Sequence, residues 1–145
     1  AALRDVVGSV EASGGQCRLW PLSDRAPLTG PQGMARGLVG LIGDAAHPMR
    51  PYLAQGAGMA IEDAAELQRA LAMADLDVST RLRRYALNRW QRNARVQARS
   101  IRNGEIFHAT GLMCWGRDSA LRLLGSRLMD VPWLYRGDGA CATGW

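Results

Sequence analysis

The chain has only three cysteines in 145 residues, Cys17, Cys114 and Cys141, and their spacing forms no pattern. An odd number at wide spacing argues against a disulfide framework and against a zinc site. It fits free thiols in a reducing, cytoplasmic compartment. Two histidines and scattered acids supply no metal-ligand spacing. No apolar stretch approaches the ~20 residues a membrane span needs, so no membrane partner is expected. The N-terminus, Ala1-Ala2-Leu3-Arg4-Asp5, lacks a starting Met and the basic-then-apolar order of a signal peptide, so a processed, trimmed or fragmentary chain is expected. There is no internal repeat. A Gly-x-Gly-x-x-Gly turn is also missing: Gly-x-Gly occurs at Gly56-Ala57-Gly58 and Gly137-Asp138-Gly139, neither followed by the matching glycine.

What is present suits one globular domain with a core: 48% hydrophobic and 21% charged residues. The net charge of +5 would suit an acidic partner. Much of the positive charge lies between Arg81 and Arg102. Arg92, Arg95, Arg99 and Arg102 repeat at helical spacing and share one face. Such a face can bind nucleic-acid phosphates. Only Tyr85 and Trp90 lie near it, and no helix-turn-helix or zinc pattern accompanies it. A solvated or subunit-facing helix explains the stripe better; no nucleic-acid partner is expected, and a homodimer stays open.

Leu3, Val6, Val7 and Val10 predict a short amphipathic helix, ended by Ser13-Gly14-Gly15. Cys17 to Leu22 reads as a strand, with Pro21 at its edge or end. Residues 23–37 read as loop. Leu38-Val39-Gly40-Leu41-Ile42 reads as a buried strand, and Gly40 within it predicts close approach of another backbone. A helix follows from about Gly56 to Ala74, with Ala60, Ala64, Leu67 and Leu71 on one face. After a break at residues 75–79, with Asp77 or Ser79 as N-cap, a long helix runs from about Thr80 to Asn103, ended at Asn103-Gly104. A mixed segment spans 105–116. A last helix carries Ala120 to Met129, Val131 to Tyr135 closes the packed part, and a loose glycine-bearing tail follows from Arg136.

The run Leu41-Ile42-Gly43-Asp44-Ala45-Ala46-His47-Pro48, continued through Pro51 to Gln55-Gly56-Ala57-Gly58-Met59-Ala60-Ile61-Glu62-Asp63-Ala64, carries the chemistry. It reads as a strand, a sharp exit bearing an acid, a Pro/Gly loop and a helix start. In open α/β sheets, ligands bind beyond the carboxyl ends of strands. Asp44 there can accept hydrogen bonds from sugar hydroxyls; it can equally cap the next turn or pair with an arginine. The free N–H groups of the helix start favour negative charge, and its small side chains let a flat ring approach the backbone.

In its full spacing this run closely resembles the second flavin-binding segment of the FAD-dependent aromatic hydroxylases. Trp20-Pro21-Leu22-Ser23-Asp24-Arg25 resembles that family's strand ending in Asp-Arg, with Ser23 where an aromatic is usual. Arg89, Arg92, Val96, Gln97, Ser100, Asn103, Gly104, Phe107 and His108 resemble the long helix of the salicylate hydroxylase-like and 3-hydroxybenzoate 6-hydroxylase-like branch. Leu124-Gly125 and Pro132-Trp133-Leu134-Tyr135 resemble its C-terminal end.

The resemblance implies FAD as cofactor, NADH or NADPH as electron donor, and oxygen transfer to an aromatic small-molecule substrate. It implies that Asp44 holds the ribityl and pyrophosphate part of FAD and that Pro51 lies against the isoalloxazine. Backbone N–H groups from Gly56, Ala57 and Gly58 to Met59, following Gln55, would face the N1–C2=O edge. No catalytic residue is assigned. His47 and His108 become scaffold residues.

The expected fold class is α/β, an α+β fragment: the helix-rich C-terminal portion of a Rossmann-like FAD/NAD(P)-binding hydroxylase fold without its N-terminal dinucleotide-binding unit. Residues 1–37 would end the substrate-domain sheet and its connecting loop, 38–136 would form the C-terminal FAD-binding segment and helices, and 137–145 a flexible tail. The missing N-terminal FAD-binding region is then a partner. The alternative is a non-catalytic truncated remnant acting as a helical interaction module.

Overall fold

Local capping chemistry sets the helix boundaries. The Asp77 carboxylate accepts the Thr80 N–H at 3.0 Å and the Thr80 hydroxyl at 2.6 Å, which starts the longest helix. The Arg81 guanidinium donates to the carbonyls of Leu71, Ala74 and Leu76 and closes the helix before it. Arg117 donates to the carbonyls of Ile106 and Phe107 and does the same one connection later. A cation at a helix C-terminus also complements the helix dipole.

The structure, a computed structural model, describes residues 2–16, 18, 20–125 and 131–135. Its elements are α1 (Ala2–Ala12), β1 (Ala35–Arg36), β2 (Val39–Gly40), α2 (Gly56–Leu71), α3 (Val78–Phe107), α4 (Gly111–Leu124) and α5 (Pro132–Tyr135), with single 3-10 turns at Pro31–Gly33, Gly43–Ala45 and Pro51–Leu53. Cys17 and Leu19 of the expected first strand, Leu128 and Met129 of the expected last helix, and the tail from Arg136 lie outside the described residues.

Helices dominate, and α3 is their spine. One core cluster joins Leu28, Met34, Ala46, Ala70, Tyr85 and Ala86; a second joins Met59, Val96 and Leu134. Both lie against α3, one beside its first half and one beside its second.

Several elements differ from expectation. The apolar run 38–42 is not a buried strand. Val39–Gly40 pairs antiparallel with Ala35–Arg36 in a two-stranded ribbon, Ala35 opposite Gly40. Gly37, first of the two loop residues, has φ 58°, which suits a tight hairpin. Leu38 is 76% exposed, because a ribbon packed by α3 on one side leaves its other side open. Gly40 does approach a neighbour closely, but that neighbour is the Leu82 side chain: a Cβ at Gly40 would sit 3.1 Å from Leu82 Cδ2.

No strand forms at residues 20–22 either, and Trp20 is 82% exposed. A lone extended segment without a pairing neighbour gains no ladder. Asn103-Gly104 does not end α3. The helix runs on because Gly104 is where the Tyr52 ring packs; a Cβ there would meet Tyr52 Cε2 at 2.6 Å. The inward face of α2 is centred on Met59, Asp63 and Ala70, while Ile61, Ala64 and Leu71 point outward.

Candidate functional site

The loop from Leu41 to Gln55 has little regular structure of its own. Side chains on α3 and α2 hold it through its backbone. The Tyr85 hydroxyl donates to Leu41 O at 2.9 Å, Gln97 donates to Pro48 O at 3.2 Å, and the Ser100 hydroxyl donates to Arg50 O at 2.6 Å. Asp63 Oδ2 accepts the Gly43 N–H at 3.1 Å. These are single-residue grips at the start and the middle of the loop. Asp24 adds an ion pair to Arg50 from the segment before it.

Asp63 is the hub. Oδ2 also accepts from His47 Nε2 at 2.5 Å; Oδ1 accepts from Arg89 Nε at 2.9 Å and Asn93 Nδ2 at 3.0 Å. Burial works against the charge on Asp63, but the hydrogen bonds from His47, Asn93 and Arg89 outweigh it and hold the carboxyl below its ordinary range. Arg89 also pairs with Glu62 at 2.7 Å. Arg92 forks onto both Glu62 oxygens at 2.7 and 2.8 Å and donates to the carbonyls of Trp133 and Leu134. Burial likewise opposes the Glu62 charge, and the two arginines overcome it.

The arginine stripe therefore does not act as one solvated or subunit-facing surface. Arg92 is buried and ion-paired, Arg95 lies 3.9 Å over the Trp133 ring, and Arg99 lines a cleft beside α4 and α5. His47 is fully buried in the Asp63 network, and His108 bonds the Tyr52 hydroxyl at 2.8 Å. Both histidines hold structure.

Against this rigid background a few groups stay open. Asp44, within the Gly43–Ala45 turn, is exposed and has no hydrogen bond or ion pair to the described residues. It faces the start of α2: a Cβ on Gly56 would lie 3.8 Å from Asp44 Oδ1. Gln55, the α2 N-cap residue, makes no side-chain cap bond. The Met59 N–H donates to Gln55 O at 2.9 Å, so the open donors of the first turn are those of Gly56, Ala57 and Gly58. The Met59 side chain is buried in the second core cluster. Pro51 is exposed at the head of its 3-10 turn.

A family model described as an FAD binding domain matches residues 15–100. The chain belongs to that FAD binding domain family. FAD is the cofactor this domain takes. The matched span holds every hub and loop residue named above from Asp24 to Ser100.

Curated relatives agree with the assignment. The chain is 40% identical over 141 residues to a 3-amino-4-hydroxybenzoate 2-monooxygenase of Streptomyces platensis, covering 97% of this chain and 34% of that protein. It is 44% identical over 99 residues to 3-hydroxybenzoate 6-hydroxylase 1 of Aquipseudomonas alcaligenes, covering 68% and 24%. It is 49% identical over 79 residues to a 6-hydroxynicotinate 3-monooxygenase of Bordetella bronchiseptica, covering 54% and 20%. The chain spans about a third of the length of the first relatives it matches.

Within this FAD binding domain, sequence reading alone passed over the hub. Asn93 is the residue it missed, and Asp63 served only as part of a motif. A signal was there: Arg89, Asn93, Gln97 and Ser100 place polar groups at helical spacing on the same line as Tyr85 and Val96. A polar stripe inside an apolar helix face predicts buried partners elsewhere in the chain. Among the described residues no group of acids, histidines and cysteines could hold a metal, and no helix is long and apolar enough to cross a membrane.

Proposed function

We propose that this chain forms the flavin end of the FAD site in an aromatic hydroxylase of Rossmann-like fold. The exposed Asp44 carboxylate facing the open first turn of α2 carries this reading. The residues fit the group. Asp44 Oδ1 sits beside the bare Gly56 edge, so a polar chain lying along the helix start could bond the carboxylate and approach the backbone together. The open N–H groups of Gly56, Ala57 and Gly58 suit an electron-rich ring edge, and the helix dipole favours the negative charge a reduced flavin carries. Asp44 would hold the ribityl and pyrophosphate part, Pro51 would lie against the ring, Gln55 would border it, and Met59 would anchor the turn from the core.

When bound, FAD supplies the redox chemistry, with NADH or NADPH as donor and an aromatic compound as substrate. The protein's part is to hold a rigid polar edge against the ring. The adenine end would be gripped by a dinucleotide-binding unit in the part of the relatives that this chain does not span. On the cysteine pattern, the compartment proposed is the cytoplasm.

Titrating the 145-residue chain into FAD while following flavin fluorescence tests the reading. Saturable binding that Asp44→Ala weakens supports it. A colourless protein that leaves the flavin signal unchanged refutes independent cofactor binding. It would favour the second reading, a helical interaction module, for which α4 offers one observation: Leu112 is 89% and Leu123 85% exposed.

A further inference from the structure

The second half of α3, together with α4 and α5, encloses an open cleft of about 500 Å³. That is the size of a small-molecule site. Tyr52 and Leu53, from the turn that begins with Pro51, line it; Phe107, Met113, Leu121 and Leu134 are part of its apolar wall. Polar groups are few. Tyr52 is engaged with His108, and Arg117 is engaged with Asp118 and two carbonyls.

Arg99 differs from these. Its side chain lines the cleft, its Nε is buried, and that nitrogen has no hydrogen-bond partner. No carboxylate pairs with it among the described residues, although Arg92 and Arg95 on the same helix have Glu62 and Trp133. The Nε is closed off from solvent, so an anion in the open cleft would meet the terminal N–H groups of the guanidinium, which no described residue accepts. Asn103, one helical turn further on, lines the same cleft with a second polar group.

We propose that this cleft binds a small amphipathic carboxylic acid, its carboxylate on Arg99 with Asn103 beside it and its apolar body against the α3–α4–α5 wall. A planar guanidinium matches a planar carboxylate, two donors to two acceptors. Of the two cations in the lining, Arg117 is held by Asp118 and Arg99 has no ion pair among the described residues; one such cation suits one negative charge. The site is distinct from Asp44 and the α2 N-terminus, and it does not depend on the flavin reading.

The test is calorimetric titration of the 145-residue chain, without flavin, using 2-naphthoate and its neutral isostere 2-naphthamide. The acid is expected to bind at least about tenfold tighter than the amide. Arg99→Gln should bring the two affinities together while the amide affinity holds. Arg102→Gln, an exposed position on the same helix, should leave the preference intact. Leu121→Trp should block both probes, and far-UV circular dichroism checks that each variant is folded. Equal binding of acid and amide, or a preference that survives Arg99→Gln, overturns the proposal. Failure of both probes also overturns it. Because no flavin is present, none of these outcomes bears on Asp44.

Discussion

His47 Nε2 donates to Asp63 Oδ2 across 2.5 Å, with both side chains fully buried. This bond ties the loop that leaves β2 to the second turn of α2. Gly43 N–H reaches the same oxygen. Gly43, His47 and Asp63 of the motif thus close on one carboxylate, while Asp44, Pro51 and the first turn of α2 stay open. Conserving the geometry of Asp44 and the α2 N-terminus is the work of Asp63.

Replacing Asp63 with Asn keeps its shape and removes the charge that Arg89 and His47 face. Breaking one partner of a buried pair costs about 3–5 kcal/mol when the other charge is left uncompensated; Arg89 keeps Glu62, so the loss lies toward the lower end of that range. Urea unfolding of the variant should show a loss of that size; a loss under about 1 kcal/mol, the worth of a single neutral hydrogen bond, would show that the network adds little.

Acid should destabilise the fold through the same groups. Asp63 and Glu62 both have folded pKa values below their ordinary 3.8 and 4.5. A carboxyl with a lowered folded pKa binds fewer protons in the folded chain than in the unfolded one. Its stabilisation is present above the ordinary value and is lost as pH falls through the folded one. The urea midpoint should therefore decline as pH drops below 4.5, and the decline should be shallower in Asp63→Asn.

Asp44→Asn should separate binding from stability. The side chain is exposed and unpaired, so stability should change by less than about 0.5 kcal/mol. FAD affinity should fall by about tenfold or more, the worth of one charge-assisted hydrogen bond. A variant that unfolds more easily yet binds FAD as well as the parent would reverse both assignments.

Gly104→Ala offers a contest between two effects. Alanine favours a helix interior over glycine by about 1 kcal/mol. Its Cβ would press on the Tyr52 ring at 2.6 Å, and overpacking of this kind costs about 1–3 kcal/mol. Net destabilisation is expected, accompanied by loss of the Tyr52–His108 bond, which the tyrosine ultraviolet spectrum reports.

Gly43→Ala tests the sharp exit itself. The backbone there has φ 56°, and an added Cβ would sit 3.2 Å from Ala60 Cβ. The left-handed conformation alone costs a non-glycine residue about 1–2 kcal/mol. A lowered thermal midpoint is expected; an unchanged one would mean that the turn can re-form without positive φ.

Features with local causes can be read from the order of residues. Helix starts and stops follow from residues within a few positions, such as Asp77 with Thr80, so α2 and α3 were legible to within a turn or so. The motif's order, from Gly43 through Asp44 to Gly56, was legible because each step is a turn or a helix start. Tertiary structure alone decided what each face meets. Periodicity groups Ala60 with Ala64, but only the approach of Arg89 and Asn93 turns Asp63 inward instead. An arginine repeat reads the same whether it faces water or Glu62. The run 38–42 reads as buried because it is apolar, yet burial requires a covering layer, and in this chain α3 covers one side only. Leu28 meets Gln97 across 69 positions of sequence. Such partners are chosen by packing and desolvation, which act in space and leave no local period in the chain.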